Sequence, residues 1–269
     1  MKELYRISFY LIILLLVLVS FFESGCKKFV TIPPPQDQLV SSAVFADSSD
    51  ATAAVLGIYI GVMNVFGVDF ANGGVTLYSG LAADELYPNT GNSDDNEFYG
   101  NAISSSSIIS SGFWVQAYQW IYQCNACIEG LSSTTAVSTS CKNELMGEAL
   151  LSRAFFYFNM VNLWGGVPLV TTTSYQVNET MPRSSQDSIY LQIVKDLKAA
   201  QSLLPGTYFS TGKTRPNQYS ATALLAKVYL HLNQWKDAQN AASIVINSGL
   251  YSLDTLNGVF LPNSNEAIW

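Results

Sequence analysis

Along most of the chain apolar residues return every three or four positions, the interval at which side chains line one face of an α-helix. Ala51, Val55, Ile58, Tyr59, Val62 and Phe66 form the first such row, with Asp47 placed to cap it and Asp50 three residues on. Trp114, Ala117, Ile121, Cys124, Ile128 and Leu131 form the second, which puts Cys124 on the buried face and Cys127 on its flank. A Ser/Thr-rich connector at 132–140 leads to a helix predicted over about Lys142–Trp164. Leu145, Ala149, Phe156, Met160 and Leu163 fall on one side of it and Met146, Leu150, Tyr157, Val161 and Trp164 on another, so it is expected to pack on two faces. Gly165-Gly166 stops it, and Val167–Val170 reads as extended. A further helix is predicted from Ser184 or Ser185 through Ile189, Ile193, Leu197 and Leu204 to Pro205-Gly206.

The last two rows, about Asn217–Leu232 and Trp235–Ile246, are joined by Asn233-Gln234 and closed at Gly249. Ala226, Tyr229, Leu230, Trp235, Ala238, Ala242 and Ile246 are expected to place small residues where the two helices cross and large ones where they grip, as in a tetratricopeptide hairpin. The strict repeat of about 34 residues is missing. The fold class expected is therefore mostly α: degenerate tetratricopeptide-like helical hairpins, an α–α superhelix, with long loops.

The N-terminus follows another pattern. Lys2 and Arg6 precede an apolar run, Phe9–Phe22, that is shorter than the roughly 20 residues of a membrane-crossing helix, and Ser24-Gly25-Cys26-Lys27-Lys28 follows. That order suits a lipoprotein export signal, with Cys26 as the lipidated residue and new N-terminus, anchoring the protein through several acyl chains. Glu23 stands where such signals carry an aliphatic residue, so an ordinary cleaved signal peptide is the other reading. Three prolines at 33–35 then favour a semi-rigid extended tether. The division expected is a signal peptide over 1–25, a lipid-anchored proline-rich tether over 26–40 and a helical domain over 41–269.

Composition narrows the function. Apolar residues make up 49% and charged residues 12%, which argues against disorder. A formal charge of −7 makes nucleic acid an unsuitable partner. Few charges beside many Tyr, Asn, Ser and Thr describe a surface that recognises neutral polar ligands, of which carbohydrate is one. From Gly67 to Ser111 the helical periodicity fails, and this stretch reads as loops with a short helix near Leu81–Leu86. Loops this long are usually functional. Tyr78, Tyr87, Asn89, Phe98, Tyr99 and Asn101 give it ring faces and amides, the two groups that sugar C–H faces and hydroxyls call for, and they form the candidate ligand site; the alternative for any one ring is packing.

Catalysis finds little to work with. The single histidine, His231, lies in a helical row, and no His-dependent triad can be built without it. Asp84-Glu85 are adjacent and diverge, a poor carboxylate pair for glycoside hydrolysis. The acidic run 94–97 lacks the spacing of a calcium loop. Cys124, Cys127 and Cys141 read as buried or half-buried thiols, with a disulfide through Cys141 or a metal site as alternatives; no cofactor and no metal is expected.

Several segments carry a family pattern. Arg153-Ala-Phe-Phe-Tyr-Phe-Asn-Met-Val-Asn-Leu-Trp-Gly-Gly-Val-Pro-Leu-Val170, Pro182-Arg183-Ser184, Ile193–Lys198 and Ala223–Leu230 with Trp235 and Ala238 resemble the SusD/RagB family of Bacteroidetes outer-membrane nutrient-binding lipoproteins. Cys26-Lys-Lys-Phe29 with its tether and Asp84-Glu85 look like the same family. The resemblance implies a lipid-anchored address at the outer membrane, facing the cell surface. It also implies a role as lid on a SusC-like TonB-dependent transporter, capturing oligosaccharide or another oligomeric nutrient without catalysis. A helical-repeat scaffold that only contacts proteins is the alternative. Family members run to roughly twice this length, which implies a fragment of a longer gene. The residues after Cys26 are basic, so surface exposure rests on the resemblance alone.

Overall fold

The computed structural model describes residues 1, 5–6, 8–10, 44–63, 70–89, 91–210, 212–261 and 264–269. Cys26, the tether, Phe66 and most of the expected signal lie outside the described residues. The chain divides into two units, Met1–Val40 and Ser41–Trp269. Among the described residues no helix is long and apolar enough to cross a membrane.

The larger unit is helical. Its elements are α1 (Ser48–Met63), a π-turn segment at Phe70–Gly74, α2 (Val75–Ala82), α3 (Ser93–Tyr99), α4 (Ile108–Ser133), α5 (Thr139–Trp164), α6 (Tyr175–Asn178), α7 (Gln186–Leu203), α8 (Gln218–His231) and α9 (Trp235–Asn247). Among the described residues extended pairing is limited to a bridge between Pro168 and Arg183. Polar side chains start the helices, the first of them where the pattern placed it: the Asp47 carboxylate accepts from Ser49 and Asp50 N–H. Ser107, Ser138, Ser185 and Asn217 do the same for α4, α5, α7 and α8.

α5 is the axis of the stack. It packs against α4 on one side and α7 on the other, with α1 and α8 also touching it. Leu145, Ala149, Leu151, Ala154, Tyr157 and Met160 are fully buried in it, as a helix covered on two faces requires. A polar lock lies inside this apolar core. Arg153 donates from Nε and Nη2 to the two carboxylate oxygens of Asp196 on α7, both at 2.8 Å, and from Nη1 to Asn125 Oδ1 on α4 at 2.8 Å. Asn125 Nδ2 continues to the Val170 carbonyl, and Gln192 donates to Asp196. Three helices and the extended segment after α5 are thereby fixed to one guanidinium.

α5 ends at Gly165, whose φ of 69° and ψ of −129° suit a residue without Cβ. Gly166 is needed for a different reason: a Cβ there would lie 2.5 Å from the Ser184 carbonyl oxygen, on backbone that the Ser184 N–H to Val167 carbonyl bond holds in place. Gly166→Ala is therefore expected to cost about 1–3 kcal/mol in urea unfolding, and an unchanged midpoint would contradict the close approach.

The structure corrects the pattern in two places. The stretch from Gly67 to Ser111 is not all loop: α2 and α3 lie in it, and α4 begins at Ile108. α2 ends at Ala82, where the short helix was expected to begin, and residues 83–86 fold back through Glu85 and Leu86 N–H bonds to the Gly80 carbonyl. α3 escaped notice because one residue, Phe98, is its buried anchor, which leaves no periodicity to read. Its start comes from the Asn92 side chain accepting from Asp94 N–H, with Asp94 and Asp95 favourably placed in the first turn. Cys127 is buried with Cys124, in keeping with the reading of both as buried thiols. Finally, α9 turns Ala238, Ala241 and Val245 inward, so Trp235 (61% exposed) and Ile246 do not grip the neighbouring helix. Apolar residues occupy two faces of α9, and period alone does not select between them.

Candidate functional site

α2 and α3 form a small platform. Tyr78 of α2 and Phe98 of α3 meet with ring centroids 4.6 Å apart, and Tyr78 and Phe70 both lie edge to face with Phe113 of α4, at 5.6 and 5.7 Å. The platform is closed above by Asn101, in left-handed conformation at φ 50°, whose amide donates to the Ala82 carbonyl at 3.1 Å. Glu97 accepts from Ser104 N–H and holds the chain leaving α3.

The six candidate residues separate into two sets. Tyr78 (6% exposed) and Phe98 (9%) are spent on the ring cluster and reach the surface only where they line the cleft beside it. Tyr87 (77%) and Tyr99 (43%) are exposed, and so are Asn89 and Asn101. A cleft of about 130 Å³ runs beside the cluster, lined by Tyr78, Phe98, Ile103, Phe113, Leu163 and Trp164. Leu163 and Trp164 were legible only as helix-face residues, and Phe113 lies just ahead of the helical row that was read from Trp114. The Tyr78 hydroxyl is pushed up in pKa by burial and, after that, by the Asp95 and Asp94 carboxylates, so the field of the α3 N-terminus reaches the ring cluster.

A second cleft, about 340 Å³, lies between α1 and α5 and is lined by Tyr59, Val62, Met63, Phe155, Phe156 and Trp269. Its polar floor is committed to internal pairing. Arg215 pairs with both Glu144 and Glu148, and Tyr59 donates to Glu148 at 2.9 Å. Residues 67 apart supply this cluster, and no local pattern announced it. Burial raises the pKa of Glu148 above the usual carboxylate range despite the opposing Arg215 guanidinium, and burial raises Glu144 in the same way. A raised carboxyl binds its proton more tightly folded than unfolded, so its contribution is most favourable at low pH. That contribution is lost as pH rises from the ordinary carboxylate value, about 4.3, through the raised one. The urea midpoint of the wild type is accordingly expected to fall relative to that of Glu148→Gln as pH goes from about 4 to about 7; a relative rise would show the ion pair to outweigh burial.

The remaining candidates for chemistry sit apart. His231 is exposed at the end of α8, its ring edge-on to Phe158 at 5.1 Å. Cys124 and Cys127 lie within α4, where burial pushes the Cys127 thiol up to about 12 and the Cys124 thiol upward too, leaving little thiolate for redox work. Cys141 is half-buried, 3.8 Å from the Thr52 hydroxyl, and all three cysteines are free. Among the described residues no group of three or more His, Cys, Asp or Glu could hold a metal ion. Asp84, at φ 60°, and Glu85 are exposed on the turn after α2.

Comparison with known proteins gives a consistent picture. A family model described as SusD-like, starch-binding associating with outer membrane, matches residues 75–230. The chain is similar to SusD-like protein P25 of Formosa agariphila, 26% identical over 270 residues that cover 96% of this chain and 50% of that one. It is also similar to SusD-like protein P2 of the same organism, 27% identical with 91% and 46% covered. Among solved structures a SusD superfamily protein from Bacteroides vulgatus superposes with a TM-score of 0.72 at 28% identity, covering 83% of this chain and 49% of that one. The chain thus spans about half the length of the curated relatives it matches.

Proposed function

Because the chain belongs to the SusD-like family, we propose that it binds a glycan through the exposed rings of Tyr87 and Tyr99 and the amides of Asn89 and Asn101, and releases it chemically unchanged. The observation that carries this reading is the split within the platform. Two aromatic residues are buried as its foundation while two others stand exposed, with Asn89 exposed two residues after Tyr87 and Asn101 exposed two residues after Tyr99, one of its amide donors held by the Ala82 carbonyl, in a protein whose family description is starch binding. Flat faces with flanking hydrogen-bond groups suit a pyranose, which is apolar on its C–H face and polar at its rim.

The proposal extends to the setting. Cys26 would carry the lipid, the tether would hold the helical unit off the outer membrane, and a SusC-like TonB-dependent transporter would receive the glycan. The family description, associating with outer membrane, supports this setting as far as family goes, and the transporter rests on the resemblance. The scaffold reading keeps one observation in its favour: Leu230 and the exposed Trp235 line a groove of about 450 Å³ with Ala226 and Ala238. Calorimetric titration of the intact chain with maltoheptaose and with laminarin oligomers tests the proposal. Saturable binding to either supports it, and no heat with either, alongside an unchanged glycan by chromatography, returns the scaffold reading.

A further inference from the structure

Charge is distributed along this chain very unevenly. Residues 29–141 contain ten carboxylates and no Lys, Arg or His, whereas residues 142–269 carry nine Lys and Arg against eight carboxylates. Half of those ten carboxylates gather on the platform: Asp84 and Glu85 on the turn between Ala82 and Tyr87, and Asp94, Asp95 and Glu97 on α3 ahead of Tyr99. The exposed rings and amides are thus interleaved in sequence with carboxylates on both elements that present them. Asp84 and Glu85 are exposed three and two residues before Tyr87, so their charge stands at the approach to that ring.

Two of the cations supplied by other elements are engaged elsewhere. Lys142 donates to the Ser132 and Thr134 carbonyls at the α4–α5 turn. Arg183 lies over the Trp114 ring at 5.5 Å and donates to the Gly166 carbonyl at the end of α5. An anionic glycan approaching Tyr87 and Tyr99 therefore meets like charge without a compensating guanidinium from α2 or α3. A neutral glycan meets no such barrier, since stacking and hydrogen bonds to hydroxyls are indifferent to the net charge of the surface.

We propose that Asp84, Glu85 and Asp94 are specificity-determining residues that make the site selective for neutral glycans and repel uronate-bearing or otherwise anionic ones. This inference rests on the glycan reading above. Like-charge juxtaposition is a recognised way to reject a wrong partner whose shape would otherwise fit. Its signature is salt dependence, because the screening length shortens from about 30 Å at 0.01 M to about 3 Å at 1 M ionic strength.

The test compares maltoheptaose with its carboxymethylated derivative on the intact chain at low and high salt, and repeats the pair on the triple variant Asp84→Asn, Glu85→Gln, Asp94→Asn. Asparagine tolerates the left-handed backbone at position 84, and circular dichroism checks the fold of the variant. The neutral glycan is expected to bind alike at both salt concentrations. The anionic one is expected to bind at least about tenfold more weakly at 0.01 M, a gap that narrows to about threefold or less at 1 M and also narrows in the variant at low salt. Equal affinity for the two glycans at low salt, or a gap that neither salt nor the variant alters, overturns the inference while leaving glycan binding intact. Binding of the anionic glycan alone does the same. Binding of neither glycan fells the glycan reading and this inference with it.

Discussion

Arg153→Leu is expected to lower the free energy of unfolding by about 3–5 kcal/mol, the largest effect of any single replacement considered for this fold. The guanidinium is nearly fully buried and spends three donors on Asp196 and Asn125. Removing it leaves the Asp196 carboxylate, itself buried, with only the Gln192 amide, and leaves Asn125 Oδ1 without its donor. An uncompensated buried charge costs far more than the ion pair contributes, because desolvation of both groups was already offset by their mutual attraction. Asp196→Leu is expected to cost a similar amount from the other side. The double replacement should then recover much of the loss, so that the two single effects sum to well over the double one by urea unfolding. Strict additivity would mean that the two groups do not share one electrostatic account, and the view of α4, α5 and α7 as pinned at this point would fall with it.

The second large effect concerns binding. Tyr87→Ala together with Tyr99→Ala is expected to weaken maltoheptaose binding by about 2 kcal/mol, roughly 30-fold, in calorimetric titration. Both rings are exposed and neither is part of the buried cluster, so the thermal midpoint is expected to stay within about 1 °C of wild type, as for surface replacements generally. Tyr78→Ala is the informative contrast. It removes a ring packed on Phe98 and Phe113, so it should cost stability of about 3 kcal/mol, and any loss of affinity would follow from collapse of the platform. An affinity untouched by the Tyr87 and Tyr99 pair would remove them from the site.

The long helices were readable because each buries many residues at a constant interval. α5 is the clearest case, its two apolar faces announcing a helix packed on both sides. α3 was not readable, since a seven-residue helix with Phe98 as its anchor has no interval to repeat. α9 showed a different failure: its helical period was plain, but the face turned inward was Ala238, Ala241 and Val245, and Trp235 and Ile246 were left outside. The lock between Arg153 and Asp196 joins residues 43 apart, and the Arg215 cluster joins residues 67 apart to Glu148; neither separation leaves a local trace. At the candidate site residue type was legible and exposure was not. Tyr78 and Tyr87 are the same side chain nine positions apart, one of them a foundation and the other a surface, and only the fold tells them apart.

The central claim is that a glycan meets the α2–α3 platform through the rings of Tyr87 and Tyr99. Nuclear magnetic resonance of the chain with carbon-13 tyrosine rings, its signals assigned with the two alanine variants, tests it most directly during titration with maltoheptaose. The Tyr87 and Tyr99 ring signals are expected to move with the glycan, while those of Tyr157 in the core and Tyr229 on α8 stay in place. Movement confined to Tyr229 and its neighbours, with Tyr87 and Tyr99 unperturbed at saturation, would contradict the claim.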